Sequence, residues 1–143
     1  MFTADSIELD EIFARAGRQT PILAILDSGL DPFASLPPGT QVLASRSFVG
    51  GNPNHDPLGW GTGWAQLYSR ALTDRWTPDG RGRVKLVIAQ VVDKDGKGRP
   101  EALAQALAWV AQFGAHTYLA PWLEGFHQPG RPSFRVLEGG LAS

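Results

Sequence analysis

The segment "PILAILDSGLDP", residues 21–32, decides the fold class. Its apolar residues at 22–26 are followed at once by Asp-Ser-Gly. A run that is apolar on both sides and bounded by turn residues predicts a strand buried on both faces, as in a parallel sheet. Asp27 then lies at the carboxyl end of this strand, where functional groups collect in such sheets. The alternative is that Asp27 only stabilises the turn that follows.

The rest of the chain alternates predicted strands with predicted helices. Apolar runs predict the strands, at residues 22–26, 41–49, 84–92 and 115–122. Apolar residues at helical spacing predict the helices, at residues 6–17, 61–75 and 101–114. Gly, Asn, Asp and Pro predict loops at 50–59 and 93–100, and an edge strand is possible at 134–137. We therefore expect an α/β fold, a three-layer sandwich with a mostly parallel sheet.

Length and composition favour one domain over residues 1–143, with its core at about 6–123 and an irregular tail at 124–143. Apolar residues make up 43% and charged residues 19%, which is typical of a globular protein. The net charge of −1 gives no reason to expect a nucleic-acid or membrane partner. Neither a secretory signal nor a membrane-spanning stretch is visible, so we expect a cytoplasmic protein.

No pattern in the sequence predicts a cofactor or a metal site. The chain has no cysteine, and its three histidines show no paired spacing with a nearby carboxylate. "DKDGKG" lacks the downstream glutamate of a calcium loop, and the glycine-rich segment lacks the Gly-Lys-Ser/Thr of a phosphate loop.

Four segments, in order, resemble the subtilisin-like serine protease (subtilase) family. "PILAILDSGLDP" resembles the strand that carries the triad aspartate, and "SFVGGNPNHDPLGWGTGWA" resembles the motif that carries the triad histidine. "VKLVIAQVVDKDGKG" and "EALAQALAWVAQFGAHTYLAPW" resemble the strand, turn, helix and strand that follow. The likeness covers about residues 10–123. It implies the N-terminal half of a subtilisin-like domain, here truncated.

Carried over residue by residue, the resemblance implies a protein without catalytic activity. Asp27 takes the place of the triad aspartate, Trp60 that of the triad histidine, and Gly63 that of the second histidine of the motif. No segment matches the motif of the nucleophilic serine. The triad needs an imidazole to accept the serine proton, and an indole offers only a donor N–H.

The resemblance places two tryptophans where a peptide would bind. Trp60 falls at the floor of the family's cleft, and Trp122 follows the edge strand that pairs with substrate. Aromatic side chains suit peptide recognition, and an open strand edge can add a peptide. The candidate binding residues are Trp60, Trp64, Trp122, His55 and Asp27. Alternatively, Trp60 only fills space, or His55 and Asp56 approach Asp27 as a relocated acid–base pair.

We therefore expect a subtilisin-like pseudoprotease that binds a peptide or protein partner as a non-catalytic component of a complex. The truncated sheet predicts an exposed sheet edge, which either the tail of the chain folds back to cover or another chain covers in a homo- or hetero-oligomer. One alternative is half of a split serine hydrolase that another chain completes. The other is a purely structural subunit whose cleft is packed shut.

Overall fold

The protein folds around a five-stranded sheet, seen in a computed structural model that describes residues 12, 14, 20–76, 84–115, 117–120 and 136–138. The strands of this part are β1 (Ile22–Asp27), β2 (Gln41–Ser47), β3 (Lys85–Gln90), β4 (Thr117–Leu119) and β5 (Val136–Glu138). Its two helices of more than one turn are α1 (Trp60–Trp76) and α2 (Pro100–Ala111). The sheet order is β2-β3-β1-β4-β5, and the first four strands run parallel.

The expected α/β class with a mostly parallel sheet is confirmed. The predicted strands and helices from residue 22 to residue 119 are present with ends shifted by a few residues. The helix predicted at 6–17 lies outside the described residues, apart from Ile12 and Ala14, which are helical. Within the described part, neither long helix has both the length and the apolar character needed to cross a membrane.

β1 is the centre of the sheet because its apolar run can be buried on both faces. It pairs with β3 on one side and β4 on the other, and its residues from Leu23 onward are buried. Leu23 and Ile25 face the layer of α1, while Ala24 and Leu26 face the layer of α2. This alternation produces the three layers that the sequence predicts.

The two helix layers pack with different side chains. α1 contributes large residues at four-residue spacing, Trp64, Tyr68 and Leu72, all buried. α2 contributes two alanines, Ala102 and Ala106, together with Val110. Such small side chains allow a helix to lie close to the sheet.

Trp64 was expected to be a binding residue, and this prediction is wrong. Its side chain is 1% exposed, and its ring lies 6.2 Å from the ring of Tyr68 inside the core. The helical spacing of the two residues permits this contact, and Leu72 at the same spacing extends the apolar face of α1 that packs on the sheet.

The edge of β4, which we expected either the tail or another chain to cover, is covered by the tail. β5 pairs antiparallel with β4 and joins Thr117 to Glu138 and Leu119 to Val136. Because this pairing satisfies the outer hydrogen-bonding groups of β4, that edge is not available to a partner strand.

We predict that Trp64→Ala lowers the free energy of unfolding by about 3–5 kcal/mol, because it leaves a large cavity beside Tyr68. Phe33→Ala is the matched control, since Phe33 is 93% exposed and its loss changes stability by about 0.5 kcal/mol or less. Urea denaturation of both variants measures the difference. Equal midpoints for Trp64→Ala and the parent chain would contradict the core position of Trp64.

Candidate functional site

Asp27 lies where β1 ends, beside the start of α1. We call this region the Asp27 corner and define it as Asp27, Ser28, Asp56 and the first turn of α1. The main-chain carbonyl of Asp27 accepts the N–H groups of Val91 and Val92, at 2.8 and 3.2 Å. These bonds fix the end of β1 against the residues that follow β3.

Asp56 caps the helix from the loop that precedes it. Its Oδ1 accepts the Ser28 hydroxyl at 2.6 Å and the Gly59 N–H at 2.9 Å, and its Oδ2 accepts the Thr62 N–H at 2.8 Å. The Ser28 Oγ in turn accepts the Gly61 N–H at 3.0 Å. Donors at the start of a helix lack partners within the helix, and a negative charge there is favourable. Ser28 and Asp56 together satisfy this helix end.

The corner is closed by a contact between two main chains. A Cβ atom added at Gly61 would overlap the carbonyl oxygen of Gly29. A residue with any side chain at position 61 therefore cannot be accommodated unless the backbone moves. The glycine that the sequence motif places here serves a close approach between α1 and the end of β1.

The carboxyl group of Asp27 is buried without a partner. Its side chain is 0% exposed, and neither oxygen has a hydrogen-bond partner within the described residues. The Ser28 hydroxyl has a single proton, which it donates to Asp56. Burial raises the pKa of Asp27 well above its ordinary value; the Asp56 carboxylate adds to this rise, and the adjacent Ser28 opposes it without reversing it.

Gln90, at the carboxyl end of β3, holds the loop that leads to α1. Its Nε2 lies 2.9 Å from the Ser28 carbonyl oxygen, 3.1 Å from that of Asn52 and 3.2 Å from that of His55. Gln90 is 3% exposed, so these bonds form away from water. The three surrounding acceptors also settle which end of the amide carries the nitrogen.

Trp60, which stands in the histidine position of the resemblance, packs on the turn between β3 and α2. It is the first residue of α1 and is half-buried. A Cβ atom added at Gly96 would lie 2.9 Å from the Cη2 atom of Trp60. Gly96 also has a φ of +82°, a conformation that favours glycine. The indole ring therefore supports this turn.

A half-open cleft of about 480 Å³ lies at the carboxyl end of the sheet. One wall, which we call the loop wall, comes from residues 49–57, and the other, the turn wall, comes from residues 93–99. Gln90 lies between them. The residues that line the cleft are Val49, Gly50, Gly51, Asn52, His55, Pro57, Gln90, Asp93, Lys94, Asp95 and Arg99.

The predicted binding residues do not form one site. His55 lines the cleft, whereas Trp60 and Asp27 are not among its lining residues. Asp27 is buried in the corner, Trp64 belongs to the core, and Trp122 lies outside the described residues. Of the proposed pair of His55 and Asp56, only Asp56 acts on Asp27 electrostatically.

The geometry gives no metal site in the part of the chain that the structure describes, where no three His, Asp or Glu side chains cluster suitably. The carboxylate of Asp56 is already used by four hydrogen-bond donors.

The sequence reasoning missed Ser28 and Gln90, and it considered Asp56 only as part of an acid–base pair and not as a helix cap. A signal existed for Gln90, because it is a polar residue within the apolar run 84–92. A weaker signal existed for Asp56, which lies shortly before the predicted helix start. The partners of Ser28 and Gln90 are 28 to 62 residues away in the chain, so no local pattern in the sequence pairs them.

Comparison with known proteins adds no relative. No family model matches this chain, and no curated protein matches it significantly. The likeness to subtilisin-like proteases therefore stays an interpretation of the four motifs.

We predict that Gly61→Ala destabilises the protein by more than about 1 kcal/mol. Alanine is normally favoured over glycine within a helix by about that amount, so the contact with Gly29 must reverse the sign. Gly59→Ala is the control, because a Cβ atom there meets open space and only its φ of +76° causes strain. If Gly61→Ala proves more stable in urea than the parent chain, the close approach is wrong.

We predict that Asp27→Asn stabilises the protein at pH 7, on the order of 1 kcal/mol or more, because it removes a buried charge but keeps the shape. The pKa of Asp27 is raised in the folded state, so the folded chain holds its proton more tightly. The contribution of Asp27 to the stability of the parent is therefore greatest below about pH 4 and falls as the pH rises towards the raised pKa.

Urea titrations of the parent and Asp27→Asn at several pH values test this linkage. The stabilities of the parent and Asp27→Asn should be similar near pH 4 and should differ increasingly at higher pH. Asp31→Asn is the control, because Asp31 is exposed and its substitution shows the effect of removing a surface carboxylate. A constant difference at every pH would show that Asp27 titrates normally in the fold.

Proposed function

We propose that this chain is a non-catalytic binding protein, a pseudoprotease of subtilisin-like fold that holds a peptide or protein partner within a cytoplasmic complex. The observation that carries the proposal is the cleft, whose lining combines main chain from glycines with polar side chains. Among the described residues, that lining includes His55 but no serine or threonine, so it holds a base without a hydroxyl nucleophile beside it.

The polar groups of the Asp27 corner hold the fold together, which supports a non-catalytic role for them. The Ser28 hydroxyl is fully buried and is engaged both as donor and as acceptor. A serine nucleophile must instead be exposed and bonded to a base. Among the described residues, the charged group that acts on Asp27 is another carboxylate, Asp56, which cannot replace an imidazole.

Hydrogen bonds hold the two walls of the cleft. This favours binding, because walls that are already ordered lose little conformational entropy when a ligand binds. Gln90 and Asp56 hold the loop wall. The turn wall is held by Asp93, whose Oδ1 accepts the N–H groups of Asp95 and Lys97, and by the support of Trp60 beneath Gly96. The volume lies within the usual range of ligand sites.

A degenerate pool of capped octapeptides tests the proposal. We expect the immobilised chain to retain a subset of the pool without cleaving it, as measured by mass spectrometry. His55→Trp should reduce retention, because it fills the cleft while the main-chain bonds of residue 55 remain.

Asn54→Trp is the matched control, since Asn54 is exposed on the same loop but does not line the cleft. If both variants lose peptide retention equally, the peptides bind outside the cleft. Peptide hydrolysis that Asp27→Asn abolishes would overturn the non-catalytic proposal and favour an enzyme.

A further inference from the structure

We propose that the cleft recognises a carboxylate on the bound peptide, with Lys94 and Arg99 as its cationic contacts. This inference rests on the proposed function and adds the chemistry of the ligand. The carboxylate comes either from an acidic side chain or from a peptide C-terminus, and the experiment below distinguishes them.

The charges of the cleft lie on the turn wall. The loop wall contributes His55 and otherwise uncharged residues, whereas the turn wall carries Asp93, Lys94, Asp95 and Arg99. A charged ligand group is therefore held by the turn wall, and the loop wall supplies main chain and the Asn52 amide.

One oxygen of Asp93 is committed to the turn, and the other lies 3.9 Å from Arg99. The Oδ1 of Asp93 accepts the N–H groups of Asp95 and Lys97, at 2.9 and 3.0 Å. The hydrogen bond from the Lys97 main chain is the main reason that the pKa of Asp93 is lowered. Asp93 thus stays ionised and serves the geometry of the turn.

The two cations of the cleft are not committed in this way. Lys94 is exposed and makes no ion pair within the described residues. Arg99 has a side chain that is 63% exposed, and its nearest approach to Asp93 is 3.9 Å, which is longer than a hydrogen bond. Both can therefore turn to a ligand at little cost.

The remaining groups favour an acceptor as ligand. The Asn52 Oδ1 accepts the Asn54 N–H, which leaves the amide nitrogen of Asn52 as a donor. The Oε1 of Gln90 is buried beside Gly51 and is out of reach. Asp95 is the one exposed carboxylate in the lining, against two exposed cations. A carboxylate satisfies more of these groups than an ammonium does.

Three pentapeptides provide the test: Ac-Ala-Ala-Glu-Ala-Ala-NH2, the same peptide with Gln for Glu, and penta-alanine with a free C-terminus. Binding is followed by amide shifts in NMR spectra of the full chain. We expect at least one carboxylate peptide to bind about two- to fivefold more tightly than the Gln peptide, as for an exposed ion pair. Whichever acidic peptide binds more tightly identifies the source of the carboxylate.

Variants assign the contacts. Lys94→Gln and Arg99→Gln should each weaken the carboxylate peptide about two- to fivefold and leave the Gln peptide unchanged. Lys97→Gln is the matched control, because it removes the same charge from the same turn outside the lining.

Two results would overturn the inference. If the Gln peptide binds as tightly as both acidic peptides and neither variant matters, the carboxylate preference is wrong while peptide binding stands. If Lys97→Gln weakens binding as much as Lys94→Gln, the effect is only the net charge of the turn. Failure of the whole octapeptide pool to bind would instead remove the proposed function itself.

Discussion

The carboxylate of Asp56 joins the parts on which the rest of the structure depends. It accepts the Ser28 hydroxyl and the N–H groups of Leu58, Gly59 and Thr62. One side chain therefore connects the end of the central strand, the preceding loop and the start of α1. Because the group is negative and lies at the positive end of a helix, its charge stabilises the cap. The loop that Asp56 closes is also one wall of the cleft, so the helix cap and the candidate site share one support.

This arrangement explains why the carboxyl group of Asp27 has no hydrogen-bond partner among the described residues. A hydroxyl has one proton, and the helix cap uses that of Ser28. Among the described residues, the charged group that acts on Asp27 is Asp56, of the same sign, so the corner disfavours a charge on Asp27. The side chain of Asp27 therefore contributes by filling space, and its main-chain carbonyl contributes by accepting the N–H groups of Val91 and Val92. Asp27 thus lies at the end of a strand, where functional residues collect in parallel sheets, but it is buried as a structural residue is.

The sequence was sufficient to predict the strands and helices, which depend on local patterns, but not the side-chain contacts between residues that are distant in the chain. β1 and β3 were predictable because runs such as 22–26 are apolar on both faces, and α2 because alanine and leucine recur at helical spacing. Trp64 was misjudged although its four-residue spacing with Tyr68 and Leu72 is the pattern of a helix face that packs on the core. The pairing of Ser28 with Asp56 and the reach of Gln90 depend on the assembled sheet, and no local pattern contains them. The pairing of β5 with β4 likewise follows from where the tail returns.

Trp60 connects the two halves of the candidate site. It begins α1, whose cap is built from Ser28 and Asp56, and its ring lies against Gly96 in the turn wall. Trp60, to which the resemblance assigns the place of a catalytic base, thus connects the capped start of α1 to the turn wall of the cleft. A histidine here is smaller than tryptophan and would leave the contact with Gly96 unmade. The Ser28 hydroxyl would still be bonded to Asp56, and the described lining of the cleft holds no serine or threonine. A histidine at position 60 would therefore weaken the turn wall without forming a pair of hydroxyl nucleophile and base.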